Sequence, residues 1–336
     1  LKVYNLKVYN LISTNRKLKV ILAQPRGFCA GVERAISIVE EAIRIYGPPV
    51  FVRHEIVHNK RVVDELKNKG ACFVKEISDI PDGSVTIFSA HGISEKVENQ
   101  ARLRSLPVID ATCPLVSKVH KEGQHHATKN RDVILIGHAS HPEVEGTMGR
   151  IKGGVHLVTN IEDVKNLQVR DENKVAYVTQ TTLSVDDTRE IIAELKEKLP
   201  NIIGPDVRDI CYATQNRQAA VRNIAGEVDV MLVVGAQNSS NSNRLREIGD
   251  EIGVPSYLID DANGLDLSWL AGSETLGITA GASAPEELVT ELIERLRSHF
   301  VVELQHVDGV KENVQFRLPS EITDAPLDLA SLRNRV

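Results

Sequence analysis

The chain has 336 residues and a formal net charge of −6, and its length predicts two or three domains. A hydrophobic content of 42% supports a globular core, while only 4% aromatic residues argue against a stacking surface for single-stranded nucleic acid. The negative charge disfavours a polyanion-binding protein. No run of 18 apolar residues predicts a membrane-spanning helix. Four cysteines are too few for a disulfide framework, so we expect free thiols and a cytoplasmic location.

The chain opens with a direct duplication, because residues 1–5 and 6–10 both read LKVYN. The segment is short, lacks an apolar stripe and lacks the apolar core of a signal peptide. We therefore interpret residues 1–17 as a leader or extension without a role in the fold. An interfacial or targeting role is the alternative.

After this segment, short β-branched runs alternate with patterns of helical period. Strands are expected at 19–23, 85–89, 133–137, 174–178, 230–235 and 276–280, and helices at about 32–46, 58–69, 114–129, 186–199, 214–227, 241–252 and 285–298. Such alternation predicts an α/β fold with small, mainly parallel sheets covered by helices. Ligands then bind at the carboxyl ends of strands, where loops lead into helices.

The repeated strand–loop–helix unit and the spacing of three cysteines predict three similar α/β domains. We draw their boundaries at 18–112, 113–209 and 210–298, although no Gly-, Pro- or Ser-rich linker separates them. Residues 299–336 lose the alternation, and we expect a C-terminal tail packed on the body.

Cys29, Cys113 and Cys211 each follow a strand-like run and precede a helix-like run. A helix N-terminus favours the thiolate form of such a residue. A lone cysteine is usually a buried structural residue, but three in equivalent positions favour a shared metal centre. Thiolates without a fourth cysteine or a nearby histidine favour an iron–sulfur cluster with one open iron over zinc. Cys72 lies inside an apolar run, and we expect it in the core.

Several histidines also follow predicted strands. We expect His58, His91 and His141 to face one cavity, either as metal ligands or, as we prefer, as hydrogen-bond donors to an anion. The remaining histidines are interpreted as scaffold (His54, His138) or helix surface (His120, His125, His126).

Two loops rich in small polar residues resemble phosphate cradles. Residues 235–243 read GAQNSSNSN, in which Ser239, Ser240 and Asn241 combine hydroxyl, amide and helix N–H donors. Residues 279–285 repeat the design, with Ser283 as an anion donor or an N-cap. Neither loop is a Walker P-loop.

One carboxylate and two hydroxyl groups are candidates for proton transfer. Glu143 lies two residues after His141 and can donate a proton. Thr181 and Thr182 can relay a proton or hold a substrate hydroxyl, and helix capping is the alternative.

Together these segments closely resemble the LytB family of hydroxymethylbutenyl diphosphate reductases. The matching strings run from about residue 20 to 285 and are PRGFCAGVERAI, HEIVHN, SAHG, DATCPLVSKVH, GHASHPEVEGTMG, TQTTLSVDDT, DICYATQNRQ, NSSNSNRL and TAGASAP. The LKVYN duplication departs from the family, and residues 299–336 fit it loosely.

The resemblance implies three α/β domains in a trefoil around a central 4Fe–4S cluster held by Cys29, Cys113 and Cys211. The open iron would bind the allylic hydroxyl of the substrate, and Glu143 would donate the proton. Thr181, with Thr182 beside it, would organise the hydroxyl and proton network. The diphosphate would be surrounded by His58, His91, His141, Ser239, Ser240, Asn241 and Ser283. Reduced ferredoxin or flavodoxin is the implied electron donor.

Two other classes of function remain open. A non-enzymatic iron–sulfur sensor or scaffold would use the cysteines but would not need Glu143 or so many anion donors. A zinc-dependent hydrolase would use the histidines and would be colourless. A dinucleotide-dependent oxidoreductase is disfavoured because the glycines near Cys29 do not form GxGxxG.

Overall fold

The computed structural model describes residues 16–324. The duplicated LKVYN segment therefore lies outside the described residues, as do residues 325–336. Within the described range, no helix is both long and apolar enough to cross a bilayer.

Short runs rich in Val, Ile and Leu form the strands, and most central strands are buried on both faces. The strands are β1 (Lys17–Leu22), β2 (Val50–Arg53), β3 (Ala71–Val74), β4 (Thr86–Phe88), β5 (Val108–Asp110), β6 (Asp132–Ile136), β7 (Val155–Val158), β8 (Val175–Thr179), β9 (Val230–Val234), β10 (Ser256–Ile259), β11 (Thr275–Ala280) and β12 (Val301–His306).

Helices occupy the segments between strands, and several begin at a side chain that accepts a backbone N–H, such as Asn59, Ser94 and Ser184. They are α1 (Ala30–Tyr46), α2 (Lys60–Lys69), α3 (Glu95–Leu103), α4 (Pro114–Thr128), α5 (Pro142–Met148), α6 (Ile161–Asn166), α7 (Val185–Lys198), α8 (Tyr212–Ala225), α9 (Ser240–Ile252), α10 (Glu286–Arg297) and α11 (Ser320–Thr323).

The strands form three small sheets in which every pairing is parallel. Their strand orders are β10-β9-β11-β1-β12, β3-β2-β4-β5 and β7-β6-β8. The predicted α/β fold with three small parallel sheets is thus confirmed. All six predicted strands and all seven predicted helices are present, with shifts of a few residues at their ends.

Alternate residues of β9 face different helices across the largest sheet. Leu232 and Val234 pack in a cluster that contains Leu288 and Leu292 of α10. Met231 and Val233 pack instead with residues of α8 and α9. Because both faces of the strand are covered, its sequence is continuously apolar.

Strand β1 lies between β11 and β12, although its sequence falls in the first predicted domain. Val20 pairs with Leu276 on one side and with Leu304, from the predicted tail, on the other. Leu18, Val20 and Leu22 are all buried, as expected for a central strand of a parallel sheet that is covered by helices. The domain boundaries at 18–112, 113–209 and 210–298 stay a prediction.

The C-terminal residues run back across the body after β12. The hydroxyl of Tyr46 on α1 donates to the Glu321 carbonyl at 2.8 Å, and the Arg34 Nε donates to the Arg317 carbonyl at 2.8 Å. This C-terminal segment therefore contacts the helix that follows β1 at Arg317 and Glu321.

The prediction for Cys72 is wrong. Its side chain is exposed, because β3 is an edge strand and alternate residues of an edge strand face solvent.

Candidate active site

Each of the three cysteines proposed as metal ligands lies at the N-cap of a helix. Cys29 precedes α1, Cys113 precedes α4, and Cys211 precedes α8. Each backbone amide donates to a carbonyl of a different loop, in the pairs Cys29–Ala282 (3.2 Å), Cys113–Ala90 (3.0 Å) and Cys211–Thr181 (3.0 Å). The three positions are therefore locally equivalent, as their sequence contexts predict.

One cavity of about 110 Å³ is lined by all three cysteines. Loops from all three sheets contribute to it, and they lie at the carboxyl ends of strands, where parallel sheets bind their ligands. The cavity is also lined by His58, His91, His141, Glu143, Thr181, Thr182, Ser239, Ser240, Asn241 and Ser283. The structure thus brings every predicted site residue to one place.

The thiols are held close together in a buried environment. An ideal Cβ on Gly31 would lie 2.7 Å from the Cys113 Sγ and 3.8 Å from the Cys29 Sγ, so only glycine fits between them. Burial raises the pKa of Cys113 to about 12 and that of Cys211 to about 11. Burial also raises the pKa of Cys29, although the positive charge of the nearby Arg217 acts in the opposite direction.

This donor set fits an iron–sulfur cluster. Thiols with such raised pKa values stay protonated unless a cation binds them, and soft thiolates are the usual ligands of iron in clusters. Within residues 16–324, no three His, Cys, Asp or Glu side chains converge closely enough to bind one metal ion together. A cluster of several irons does not require such convergence, because each thiolate binds a different iron. Cys29, Cys113 and Cys211 are the residues that would hold a cluster.

Three histidines form a contiguous wall of the cavity. The rings of His58 and His91 stack with centroids 4.1 Å apart, and His141 meets each of them edge-on at 5.6 and 5.8 Å. Burial holds the pKa of His91 well below its usual value and lowers that of His141 to about 4. Both rings are therefore neutral at physiological pH.

The hydrogen bonds of these rings leave nitrogen atoms for a ligand. His141 Nδ1 accepts the Glu143 amide at 3.2 Å, so the neutral ring carries its proton on Nε2. His58 Nδ1 contacts Glu55 and Asn238, both at 3.2 Å. The Nε2 atoms of His58 and His91 are buried without a protein partner. Buried polar atoms normally have partners, so these two point to a polar ligand.

The second polar wall comes from the N-terminus of α9 and the loop after β11. Ser239 caps α9 and accepts the Ser242 amide. Asn241 accepts the Ala282 amide through its Oδ1 at 3.0 Å, while its Nδ2 is buried without a protein partner. Ser283 donates its hydroxyl to the His58 carbonyl at 2.9 Å. A helix N-terminus with free amide and hydroxyl groups is suited to an anion.

Glu143 is the acidic group of the cavity and is only 2% exposed. Its Oε1 accepts the Thr181 amide at 2.7 Å, and its Oε2 contacts the Thr181 hydroxyl at 2.9 Å. Burial raises the pKa of Glu143 to about 7, although both bonds from Thr181 oppose the rise. The carboxyl group therefore exists in both protonation states near neutral pH, as a proton donor requires.

Some cavity residues were not anticipated. Thr214 contacts the Cys211 Sγ through its hydroxyl at 3.2 Å and its amide at 3.4 Å. The feature of the sequence that indicates this contact is a hydroxyl-bearing residue three positions after the residue at a helix N-cap. His54 and His138 do not line this cavity. The prediction of helix-surface positions is wrong for His120 and His126, which are each 7% exposed.

A larger cleft of about 570 Å³ adjoins this cavity. Both are lined by His58, His141 and Ser240. The cleft lies between the loop after β6, which includes His138, and the N-terminal half of α9, which includes Arg244.

Comparisons with known proteins agree with the resemblance seen in the sequence. The sequence model described as "LytB protein" matches residues 20–297. The chain is 60% identical over 306 residues to "4-hydroxy-3-methylbut-2-enyl diphosphate reductase 1" of Rhodopseudomonas palustris, which covers 91% of the chain and 100% of that relative. It is 59% identical over 302 residues to the reductase of the same name from Zymomonas mobilis, covering 90% of the chain and 89% of that relative.

A solved structure has the same fold. The E-1-hydroxy-2-methyl-but-2-enyl-4-diphosphate reductase from Plasmodium falciparum superimposes with a TM-score of 0.87 at 40% sequence identity. The match covers 92% of this chain and 98% of the other. From its three parallel sheets, its shared cavity and these matches over most of its length, the chain belongs to the LytB protein family.

Proposed function

We propose that this chain is a 4-hydroxy-3-methylbut-2-enyl diphosphate reductase. The reaction cleaves the bond between carbon and the allylic hydroxyl, consumes two electrons and two protons, and releases water. Its products are isopentenyl diphosphate and dimethylallyl diphosphate, which complete the methylerythritol phosphate route to isoprenoids. The names of the relatives support this assignment.

One observation carries the proposal. Three thiols, a buried acid and two walls of hydrogen-bond donors share a single cavity. A cluster-binding scaffold would need only the thiols. The acid and the donors instead fit a small substrate that bears both a hydroxyl group and a diphosphate.

The diphosphate would be held by the histidine wall and by the N-terminus of α9. The unpartnered Nε2 atoms of His58 and His91 and the Nδ2 of Asn241 supply sites for its oxygens. Because the rings of His91 and His141 are neutral, they would act as single N–H donors and not as cations. Binding of the diphosphate at the histidine wall fixes the position of the allyl group at the cysteine end of the cavity. Ser239, Ser240 and Ser283 line the same region.

The hydroxyl group would lie at the cysteine end, near Glu143 and Thr181. Glu143 is proposed as the proton donor, since a carboxyl group with a pKa of about 7 holds a proton at neutral pH and releases it readily. Thr181 holds both oxygens of this carboxyl and therefore fixes the direction of transfer. Thr182 shares the cavity and would hold the substrate hydroxyl.

Cys29, Cys113 and Cys211 are proposed to hold a 4Fe–4S cluster with one iron left open. When bound, such a cluster supplies electrons and a Lewis-acidic iron that polarises the leaving hydroxyl. The electron donor proposed for the chain is a reduced ferredoxin or flavodoxin. The four free cysteines agree with a reducing compartment, and we propose the cytoplasm.

The proposal is tested by preparing the protein without oxygen and measuring its iron, sulfide and zinc content and its visible spectrum. We expect about four irons and four sulfides per chain and a broad absorbance band that changes on addition of the substrate. A colourless protein with stoichiometric zinc would overturn the proposal in favour of a hydrolase. Retention of the cluster without any conversion of substrate would favour the sensor or scaffold.

The acid is tested with Glu143→Gln, which keeps the size and the acceptor oxygen of the side chain. We expect a loss of turnover of about 10²- to 10⁴-fold with the cluster content unchanged. Glu145→Gln is the matched control, because Glu145 lies on the same helix but is exposed and outside the cavity. Equal activity of the two variants would exclude Glu143 as the proton donor.

A further inference from the structure

The three helices that begin at the cysteines share a second feature. Each carries a cationic side chain five or six residues after its cysteine, and these residues are Arg34 on α1, Lys118 on α4 and Arg217 on α8. Each cation forms hydrogen bonds with the loop that precedes one of the other two cysteines, not with the loop of the cysteine that begins its own helix. Together they connect the three cysteine loops in a cycle.

The first link runs from α1 to the loop of Cys113. An amino group of Arg34 donates to the carbonyl of Ala111 at 3.3 Å and to that of Thr112 at 3.1 Å. These are the two residues that immediately precede Cys113. The helix that begins at Cys29 thus holds the approach to the second cysteine.

The second link runs from α4 to the loop of Cys211. Lys118 Nζ donates to the Asp209 Oδ1 at 2.9 Å. Asp209 lies two residues before Cys211, and its side chain is buried. The other oxygen of Asp209 accepts the Thr179 amide at 3.3 Å, so the carboxylate is fixed at the end of β8.

The third link runs from α8 to the loop of Cys29 and closes the cycle. Arg217 is completely buried. It donates from Nε and a terminal nitrogen to the Gly27 carbonyl at 3.0 and 2.8 Å, and to the Phe28 carbonyl at 3.1 Å. Gly27 and Phe28 immediately precede Cys29. Glu312 balances the buried charge at 3.0 Å.

We propose that Arg34, Lys118 and Arg217 form a closed ring of positioning residues that fixes the three cysteine loops relative to one another, and that retention of an iron–sulfur cluster depends on this ring. The inference rests on the proposed function. None of the three side chains lines the cavity, so the ring acts through the cysteines and not on the substrate.

The three cysteine loops belong to different parts of the fold. Cys113 follows a strand of the second sheet, Cys29 follows a strand of the largest sheet, and Cys211 lies between strands of two different sheets. A cluster requires three thiolates at fixed mutual distances, yet no sheet spans all three. Hydrogen bonds that cross from each cysteine helix to the next cysteine loop supply that constraint. Bonds to residues next to metal ligands are known to govern metal affinity.

The ring is tested with Arg34→Met, Lys118→Met and Arg217→Met in the full-length protein. The measurements are iron and sulfide content after anaerobic reconstitution and the rate at which a chelator bleaches the visible band. We expect each variant to lose its cluster about 10- to 100-fold faster than wild type. The largest effect is expected for the buried Arg217, and the smallest for the half-exposed Lys118.

Each variant has a matched control on its own helix. Arg44→Met, Lys121→Met and Arg222→Met remove a cation from α1, α4 and α8 without touching a cysteine loop, since Arg44 bonds Glu41 and Arg222 bonds Asp186. We expect these controls to keep the wild-type rate of cluster loss. If the ring variants lost the cluster no faster than their controls, the proposed ring would be excluded and the proposed function would stand.

Two further measurements keep the ring testable. Circular dichroism of the apoprotein reports whether Arg217→Met folds; if it does not, Arg217→Lys and Lys118→Met carry the test. If the wild-type chain held no cluster, the proposed function would fail. The ring would then be tested by the rate at which a bifunctional thiol reagent cross-links Cys29 and Cys113 in a Cys72→Ser background. A rate unchanged by Arg34→Met would overturn the ring.

Discussion

Thr181 holds both carboxyl oxygens of Glu143, one through its backbone amide at 2.7 Å and the other through its hydroxyl at 2.9 Å. When the carboxyl group is ionised, both contacts donate to it. When it is protonated, Oε2 can donate to the threonine oxygen across the same 2.9 Å contact. The contact between the Glu143 carboxyl group and the Thr181 hydroxyl is therefore kept in both protonation states of the carboxyl group.

The first prediction follows from this pair. The hydroxyl bond lowers the pKa of Glu143, so Thr181→Val should raise that pKa above about 7 and move the alkaline limb of the pH–rate profile to higher pH. Loss of the relay should also reduce turnover about 10-fold. Thr147→Val is the control, since Thr147 is equally buried on the same helix as Glu143 but lies outside the cavity. An unshifted alkaline limb in Thr181→Val would contradict the prediction.

The second prediction concerns Gly31. In Gly31→Ala the new Cβ would lie 2.7 Å from the Cys113 Sγ, so the thiol must move. We expect the iron content after reconstitution to fall to less than about half of the wild-type value, because metal sites require ligand positions within a few tenths of an ångström. Gly226→Ala should have no such effect, since Gly226 has open space around it and a φ of −72°. A full complement of iron in Gly31→Ala would show that the thiol positions adapt.

The third prediction concerns the anion wall. Asn241→Asp keeps the oxygen that accepts the Ala282 amide but replaces the unpartnered Nδ2 with negative charge. Repulsion of a diphosphate should raise KM about 10- to 100-fold, since each factor of ten corresponds to about 1.4 kcal/mol. Steady-state kinetics would show it. Asn166→Asp adds the same charge at an exposed position on α6 and should leave KM unchanged; equal KM values would remove Asn241 from the substrate site.

The fourth prediction concerns stability against acid. Burial, with a smaller contribution from Arg150, lowers the pKa of His120 to about 4, and Asp110 opposes the shift. Between the unfolded value of about 6.5 and about 4, the unfolded chain binds a proton that the native state does not. Above pH 6.5, His120 is neutral in both states and does not lower the free energy of unfolding. As the pH drops from about 6.5 to about 4, its protonation in the unfolded chain lowers that free energy by about 3 kcal/mol in all.

Urea unfolding of the apoprotein at pH 7 and pH 4.5 measures this effect. His120→Gln should lose less stability between the two pH values than wild type. His125→Gln should keep the wild-type difference, because His125 is exposed on the same helix. If both variants lost as much stability as wild type, His120 would not be a source of the acid sensitivity.

The cysteine cavity could be predicted from sequence because its signals are local. A strand, a short polar loop and a helix place the loop residues at the carboxyl end of the strand. Cys29, Cys113 and Cys211 each carry that pattern, and three equivalent positions favour a shared centre. The packing of the three sheets that brings them together is not a local signal. The roles of these residues stay proposals, but their shared location is a finding.

Non-local pairing could not be read in the same way. Nothing in residues 17–22 indicates that β1 pairs with β11 and β12, because an apolar strand accepts any parallel neighbour. The burial of His120 was missed for a similar reason. Its helix has a polar pattern, and the residues that cover it are distant in sequence; one is Gly92, whose added Cβ would lie 2.6 Å from the ring.

The position of β1 also determines when the cysteine cavity can form during synthesis. Ile21 pairs with Gly277 and Gln305, so the strand that leads to Cys29 has no complete set of partners until residues 275–306 have been synthesised. Contacts between such distant residues form slowly. Cys113 and Cys211 are synthesised before either partner of β1, and the complete thiol set therefore forms only after residues 275–306 have joined the sheet.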